Sequence, residues 1–218
     1  MVRLQFVTAF TSSLLSAVLI SVISTPVLEA AQRNSFPGRR VGGGTRGECA
    51  ARPVVHLVPA SNVFSPGESK LIGVLEGPSP APQPLEIMLR SASVDGIADP
   101  DAAPLLQKLV PSAVNRLVLL SIPASALPMI WESSYQCDVD DGGADEFGFI
   151  TSSALPARSL LLPDGSSEIQ NQPQQRELVA LKAVCGTSTP LAPLKAMFQF
   201  DDEVINDSWP EQVTVQCF

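Results

Sequence analysis

The chain has 218 residues and carries 14 Lys+Arg against 22 Asp+Glu, a net charge of −8. That is enough for one domain of ordinary size, and the wrong sign for general nucleic-acid binding, which relies on basic patches that neutralise phosphate. The 20 Pro exclude a long-helix protein, because an interior Pro removes a helix hydrogen bond and clashes with the preceding turn.

Residues 1–30 read as a secretory signal peptide. Arg3 is the only charge before Glu29, Leu4 to Ile23 is uncharged and mostly apolar, and Pro26 breaks the run ahead of Leu28-Glu29-Ala30. A basic start, an apolar centre and a small-residue end are the three parts of a cleavable export signal, with the cut expected after Ala30. An uncleaved membrane anchor is the rival reading, since about 20 uncharged residues can span a bilayer. With cleavage, no stable membrane insertion is expected, and the compartment is periplasmic or extracellular.

Residues 31–48 form a Gly/Arg-rich arm. It holds Arg33, Arg39, Arg40 and Arg46 and no acid before Glu48, whereas the chain from Glu48 onward has 9 basic and 21 acidic residues, a net of −12. Arg39, Arg40 and Arg46 are therefore candidates to dock on an acidic surface, including the chain's own, or on an anion. The competing reading is a solvated linker.

Residues 49–218 read as a single β-rich domain. Short strands are expected at Pro53–Val58, at Ser69–Leu75 with Gly73 marking a bulge, and at Leu85–Arg90, where apolar Leu85, Ile87 and Leu89 alternate with Glu86, Met88 and Arg90. Between the last two, Gly77 to Pro84 reads as a stiff polyproline-like connector. A turn-rich loop covers Asp95 to Pro104. Further strands are expected at Arg116–Ile122, Met129–Cys137, Glu146–Thr151, Leu194–Phe200 and Val213–Cys217, with a polar loop over Pro163–Pro173. Glu177–Cys185 fits a strand or a helical face; we read it as a strand, with a short helix near 174–185 as the alternative. Many short strands with Gly/Pro-rich turns specify an all-β fold, an antiparallel sandwich of immunoglobulin-like architecture with long Pro-rich loops.

Cys49, Cys137, Cys185 and Cys217 follow the export signal. An even count in an exported chain points to two disulfides, for which four cysteines allow three pairings. Zinc is disfavoured because no C-x-x-C pair and no His at ligand spacing is present. Strand alternation puts Cys137 on the face of Tyr135 and Trp131, and Cys217 on the face of Val215 and Val213, so both are expected to point toward the core.

Few motifs carry chemistry. Asp138, Asp140, Asp141 and Asp145 lie in a short acidic stretch that supplies the oxygen ligands calcium requires. It fails the EF-hand register and also suits a solvated hairpin turn, with Gly142-Gly143 supplying positive φ. Gly42 to Gly47 has the glycine spacing of a phosphate loop but is followed by Glu48 and Cys49, not Lys and Ser/Thr. His56, the single His, is read as a partly buried or edge residue of a short strand. It leaves little for a His-rich metal site or a Ser-His-Asp triad.

Gly38-Arg39-Arg40-Val41-Gly42-Gly43-Gly44-Thr45-Arg46-Gly47, followed by Cys49 and Leu57-Val58-Pro59, resembles the start of a cyanobacterial exported family, domain of unknown function 928. Tyr135-Gln136-Cys137-Asp138 and Gly148-Phe149-Ile150 resemble its second landmark. The resemblance covers residues 49–155 of the domain and implies that Cys49 pairs with Cys137, leaving Cys185 with Cys217. The tail at 156–218 departs from it: the family's helical-looking C-terminal region is replaced by an Ala/Pro/Leu-rich stretch with an extra Cys pair. The family supplies no activity to transfer. The expected function is an exported, non-enzymatic binding or assembly module of the cell envelope, with an envelope protein or polysaccharide as partner and no cofactor beyond weakly held calcium. The alternatives are a carboxylate-dependent exported hydrolase and a calcium-dependent adhesion or sensor domain.

Overall fold

Two sheets and two helices are built from the residues that the computed structural model describes, namely 36–43, 53–93, 96–98, 102–136, 155–163 and 168–218. The strands are β1 (Val41–Gly42), β2 (Val54–His56), β3 (Val63–Phe64), β4 (Leu71–Glu76), β5 (Leu85–Ser91), β6 (Leu106–Val110), β7 (Arg116–Ser121), β8 (Met129–Tyr135), β9 (Ala157–Leu161), β10 (Ser188–Pro190) and β11 (Gln212–Cys217). The helices are α1 (Glu168–Ala183) and α2 (Leu191–Met197). One sheet runs β1-β2-β4-β7-β11-β10 and the other β3-β9-β8-β5-β6. The protein is a mostly-β sandwich.

Apolar patterning determines what each sheet can cover. Every residue of β4 and all but the last of β7 are buried, so the first sheet needs a partner on each side. Its inner face meets the second sheet. Its outer face, carrying Leu71, Gly73 and Leu75 opposite Ser121, Leu119 and Leu117, meets α1. In β5, by contrast, Leu85, Ile87 and Leu89 are buried while Glu86, Met88 and Arg90 are partly exposed. The second sheet therefore keeps a half-wet back. That back is dry only at one end, where Phe36, Val63, Ala92, Ile130 and Leu160 form a small cluster separate from the main core.

The structure corrects several expectations. The segment read as a strand at Glu177–Cys185 is helical to Ala183, in agreement with the alternative of a short helix near 174–185; it belongs to α1, which begins at Glu168 and so also replaces part of the expected loop at Pro163–Pro173. Pro173 sits inside this helix. Tertiary packing outweighs its cost: Leu178 and Leu181 are buried on the first sheet, Asn171 Oδ1 accepts from Ser65 N at 2.8 Å, and Gln175 Nε2 donates to Ser65 O at 2.7 Å. The expected strand at Leu194–Phe200 is α2 and its exit turn. Leu191, Leu194 and Phe198 are buried there at helical spacing. The sandwich is not purely antiparallel, since β7 pairs with β11, and β3 with β9, in parallel. Gly73 is not a bulge, because the β4–β7 register runs unbroken through it. It is glycine because a Cβ would lie 2.9 Å from Leu57 and 3.1 Å from Leu178. Glu146–Thr151 lies outside the described residues.

Candidate functional site

Two places gather polar chemistry from both sheets. The first is internal. His56 faces inward from β2, paired with Val74 of β4. It is fully buried and not on an edge, since β2 lies between β1 and β4. Its ring stacks on Trp131 of β8 at 3.5 Å and 7°. Its Nδ1 lies 2.8 Å from Ser159 Oγ of β9, and Trp131 Nε1 donates to Ser133 Oγ at 2.9 Å. Nε2 has no hydrogen-bond partner among the described residues. Burial holds the imidazole well below its ordinary pKa, because a charged ring would lose its hydration. His56 is thus a neutral rivet between the sheets, walled off from any substrate.

The second place is open. The arm from Phe36 to Gly43 runs beside β9, with Arg158 N donating to Arg39 O and Gly43 N to Leu155 O at 2.6 and 2.9 Å. β1, within the arm, also pairs with β2, so the arm stitches the two sheets along one seam. Gly38 and Gly42 permit this approach: a Cβ on Gly38 would strike Arg158 O, and one on Gly42 would strike Ala157 N. Next to this seam is an open cleft of about 420 Å³, lined by Phe36, Gly38, Arg39, Ile97, Leu155 and Arg158, with Pro37, Gly96 and Pro156 at its margins. Beside Ile97, Gly96 has φ +70°, Gly96 N donates to Ser93 O, and Ser93 N donates to Ile97 O. Ile97 is 69% exposed and Leu155 53%. Arg158 pairs with Glu132 at 3.0 Å and lies 5.8 Å from the Phe36 ring centroid. Among the described residues, Arg39 has no ion-pair partner, and its side chain is exposed.

The sequence-selected residues divide between these settings and others. Arg39 lines the cleft, while Arg40 turns the other way. Arg40 Nη1 donates to Val58 O and Phe198 O, its Nη2 donates to Gln199 O, and its guanidinium covers the Phe200 ring at 4.5 Å. It caps the carbonyl end of α2, where a cation is favoured. Burial lowers its pKa and nearby Asp201 raises it. Cys185 and Cys217 form a disulfide with Cα atoms 5.9 Å apart, a bond that belongs to oxidising compartments. Cys217 shares a face with the buried Val213 and Val215, but both cysteines are exposed and not core-facing, because the bridge sits past the end of α1, where the helical cover stops. Arg46, Cys49 and Cys137 lie outside the described residues, as do Asp138, Asp140, Asp141 and Asp145.

Sequence reasoning missed Phe36, Ile97, Leu155 and Arg158. For Arg158 a signal was present: Ala157-Arg158-Ser159-Leu160-Leu161 has the make-up of a short half-buried strand. Ile97 and Leu155 carry no such pattern, because exposed single apolar residues in loops are ordinary. Among the described residues no helix is long and apolar enough to cross a membrane. No protein-family model, curated protein or solved structure matches the chain.

Proposed function

We propose that the chain is an exported, non-enzymatic binding module of the cell envelope, and that the cleft beside the arm is its ligand site. The observation that carries this reading is the cleft's composition. Two large apolar side chains are held exposed beside two guanidiniums, on a seam fixed by backbone hydrogen bonds from both sheets. Apolar surface with a few placed polar groups on a rigid frame is what binding sites are made of. The signal-like N-terminus, the disulfide, and the Gly/Arg string resembling an exported family support the compartment.

The test is photo-crosslinking in envelope extract from a crosslinker placed at Ile97. The expected result is one dominant adduct, lost on Arg39→Glu and absent when the crosslinker is moved to Val179 on the exposed side of α1. Equal labelling from both positions would remove the cleft from consideration.

A further inference from the structure

We propose that the cleft takes an extended segment of a partner protein in which acidic residues alternate with apolar ones. This rests on the reading that the cleft is the ligand site, and adds what fills it.

The charge of the lining comes first. The chain as a whole is −8, yet the described residues that line the cleft include Arg39 and Arg158 and no acidic residue. An anionic partner repelled by the body at large is therefore accepted here, which fixes both place and orientation. Arginine is the cation suited to this task, because its planar fork matches a carboxylate in two parallel hydrogen bonds. Glu132 pairs with Arg158 through Nε at 3.0 Å.

The apolar part comes next. Ile97 and Leu155 are the most exposed large apolar residues of this wall, and covering them with an aliphatic or aromatic side chain is favourable by area alone. A polysaccharide would ask for something else, an open aromatic face on which a sugar ring can stack. The aromatic among the described lining residues, Phe36, is only 6% exposed, and Arg158 already lies over its ring. An extended peptide presents alternate side chains on opposite sides, so one stretch can offer carboxylates to the guanidiniums and apolar groups to Ile97 and Leu155.

The experiment is fluorescence anisotropy on the full secreted chain with three probes: a labelled octapeptide alternating Asp and Leu, its Lys/Leu counterpart, and labelled polygalacturonate. The Asp/Leu peptide is expected to bind, more weakly as salt rises. Its affinity should fall by about tenfold or more in Arg39→Glu and in Ile97→Asp, a loss of roughly 1.4 kcal/mol, and stay unchanged in Val179→Asp. Arg158→Gln should lower the affinity in the same direction, removing the charge without inverting it beside Glu132. If polygalacturonate binds and the cleft variants abolish that binding, the peptide class is overturned while the cleft remains the ligand site. Preference for the Lys/Leu peptide overturns the charge argument. If no probe responds to the cleft variants, both the occupant and the site are refuted.

Discussion

The two sheets cover their backs in different ways. The outer face of the first sheet is continuously apolar and lies under α1, with Leu178 and Leu181 pressed onto it, Arg40 tying the arm to the end of α2, and the Cys185–Cys217 bridge fastening the end of α1 to β11. The outer face of the second sheet alternates, carries Glu132 and Arg158 as a partly exposed pair, and is dry only around Phe36, Ile130 and Leu160. One face is organised for stability; the other leaves chemistry accessible. Substitutions behind the first sheet should therefore act on folding, and those behind the second on binding.

The largest expected effect is on the first side. The disulfide joins residues 32 apart, and a loop of that size is worth about 4 kcal/mol in the chain-entropy account. Cys185→Ser with Cys217→Ser should lower the denaturation midpoint accordingly, and dithiothreitol should lower it further in the native chain than in the double variant, which keeps Cys49 and Cys137. Equal sensitivity to the reductant in both would show that the bridge contributes nothing. Next comes Leu178→Ala, which leaves a cavity between α1 and β4 and should cost about 3 kcal/mol. On the other side, Met88→Ala on the half-exposed back of β5 should cost less than about 1 kcal/mol. Comparable losses at the two positions, measured by urea denaturation, would erase the distinction between the backs.

How much of this was legible depended on period. Leu85, Ile87 and Leu89 alternate strictly, so β5 and its half-buried character were readable, as were β7 from its apolar run and β11 from the alternation of Val213, Val215 and Cys217. The helices were legible only in part, as the alternative of a short helix near 174–185. Pro173 argued for loop, and the clamp that overrides it, Asn171 and Gln175 on the Ser65 peptide, joins residues over 100 positions apart. Likewise Leu194 and Phe198 fit a strand or a helix until burial chooses between them. The cleft was the least legible part. Arg39 was singled out by its charge and its glycine neighbours, but Ile97 and Leu155 become meaningful only once the fold brings their loops to the same seam.

His56 sits beneath both backs, and acid should find it. Its pKa in the folded chain lies well below 6.5 because of burial, whereas in the unfolded chain it titrates near that value. Above about pH 6.5 both states are neutral and the full stability is present. As pH falls below that, the unfolded chain takes up a proton that the folded chain refuses, and stability is lost at up to about 1.4 kcal/mol per pH unit until the folded pKa is reached. His56→Phe keeps the stack on Trp131 but cannot titrate. Between pH 6.5 and 4.5 its stability should fall less steeply than the native chain's, whatever its absolute value. Parallel curves would mean that the imidazole is already hydrated in the folded state.

The finest form of the comparison is held in two adjacent arginines. Arg40 gives up hydration to donate to three carbonyl groups and to lie over Phe200. Truncating it leaves partly buried acceptors unpaired, so Arg40→Ala should cost about 1–2 kcal/mol. Lysine should restore only part of that, since one ammonium cannot reproduce a planar fork. Arg39 is exposed on the cleft side, and Arg39→Ala should stay within about 0.5 kcal/mol of the native chain. Just ahead of β1, the two neighbouring side chains turn apart, Arg40 into the scaffold and Arg39 toward the cleft. Thermal denaturation of the two alanine variants side by side reads this directly: a fall in Tm confined to Arg40→Ala supports the division, and equal falls would place Arg39 in the folded scaffold as well.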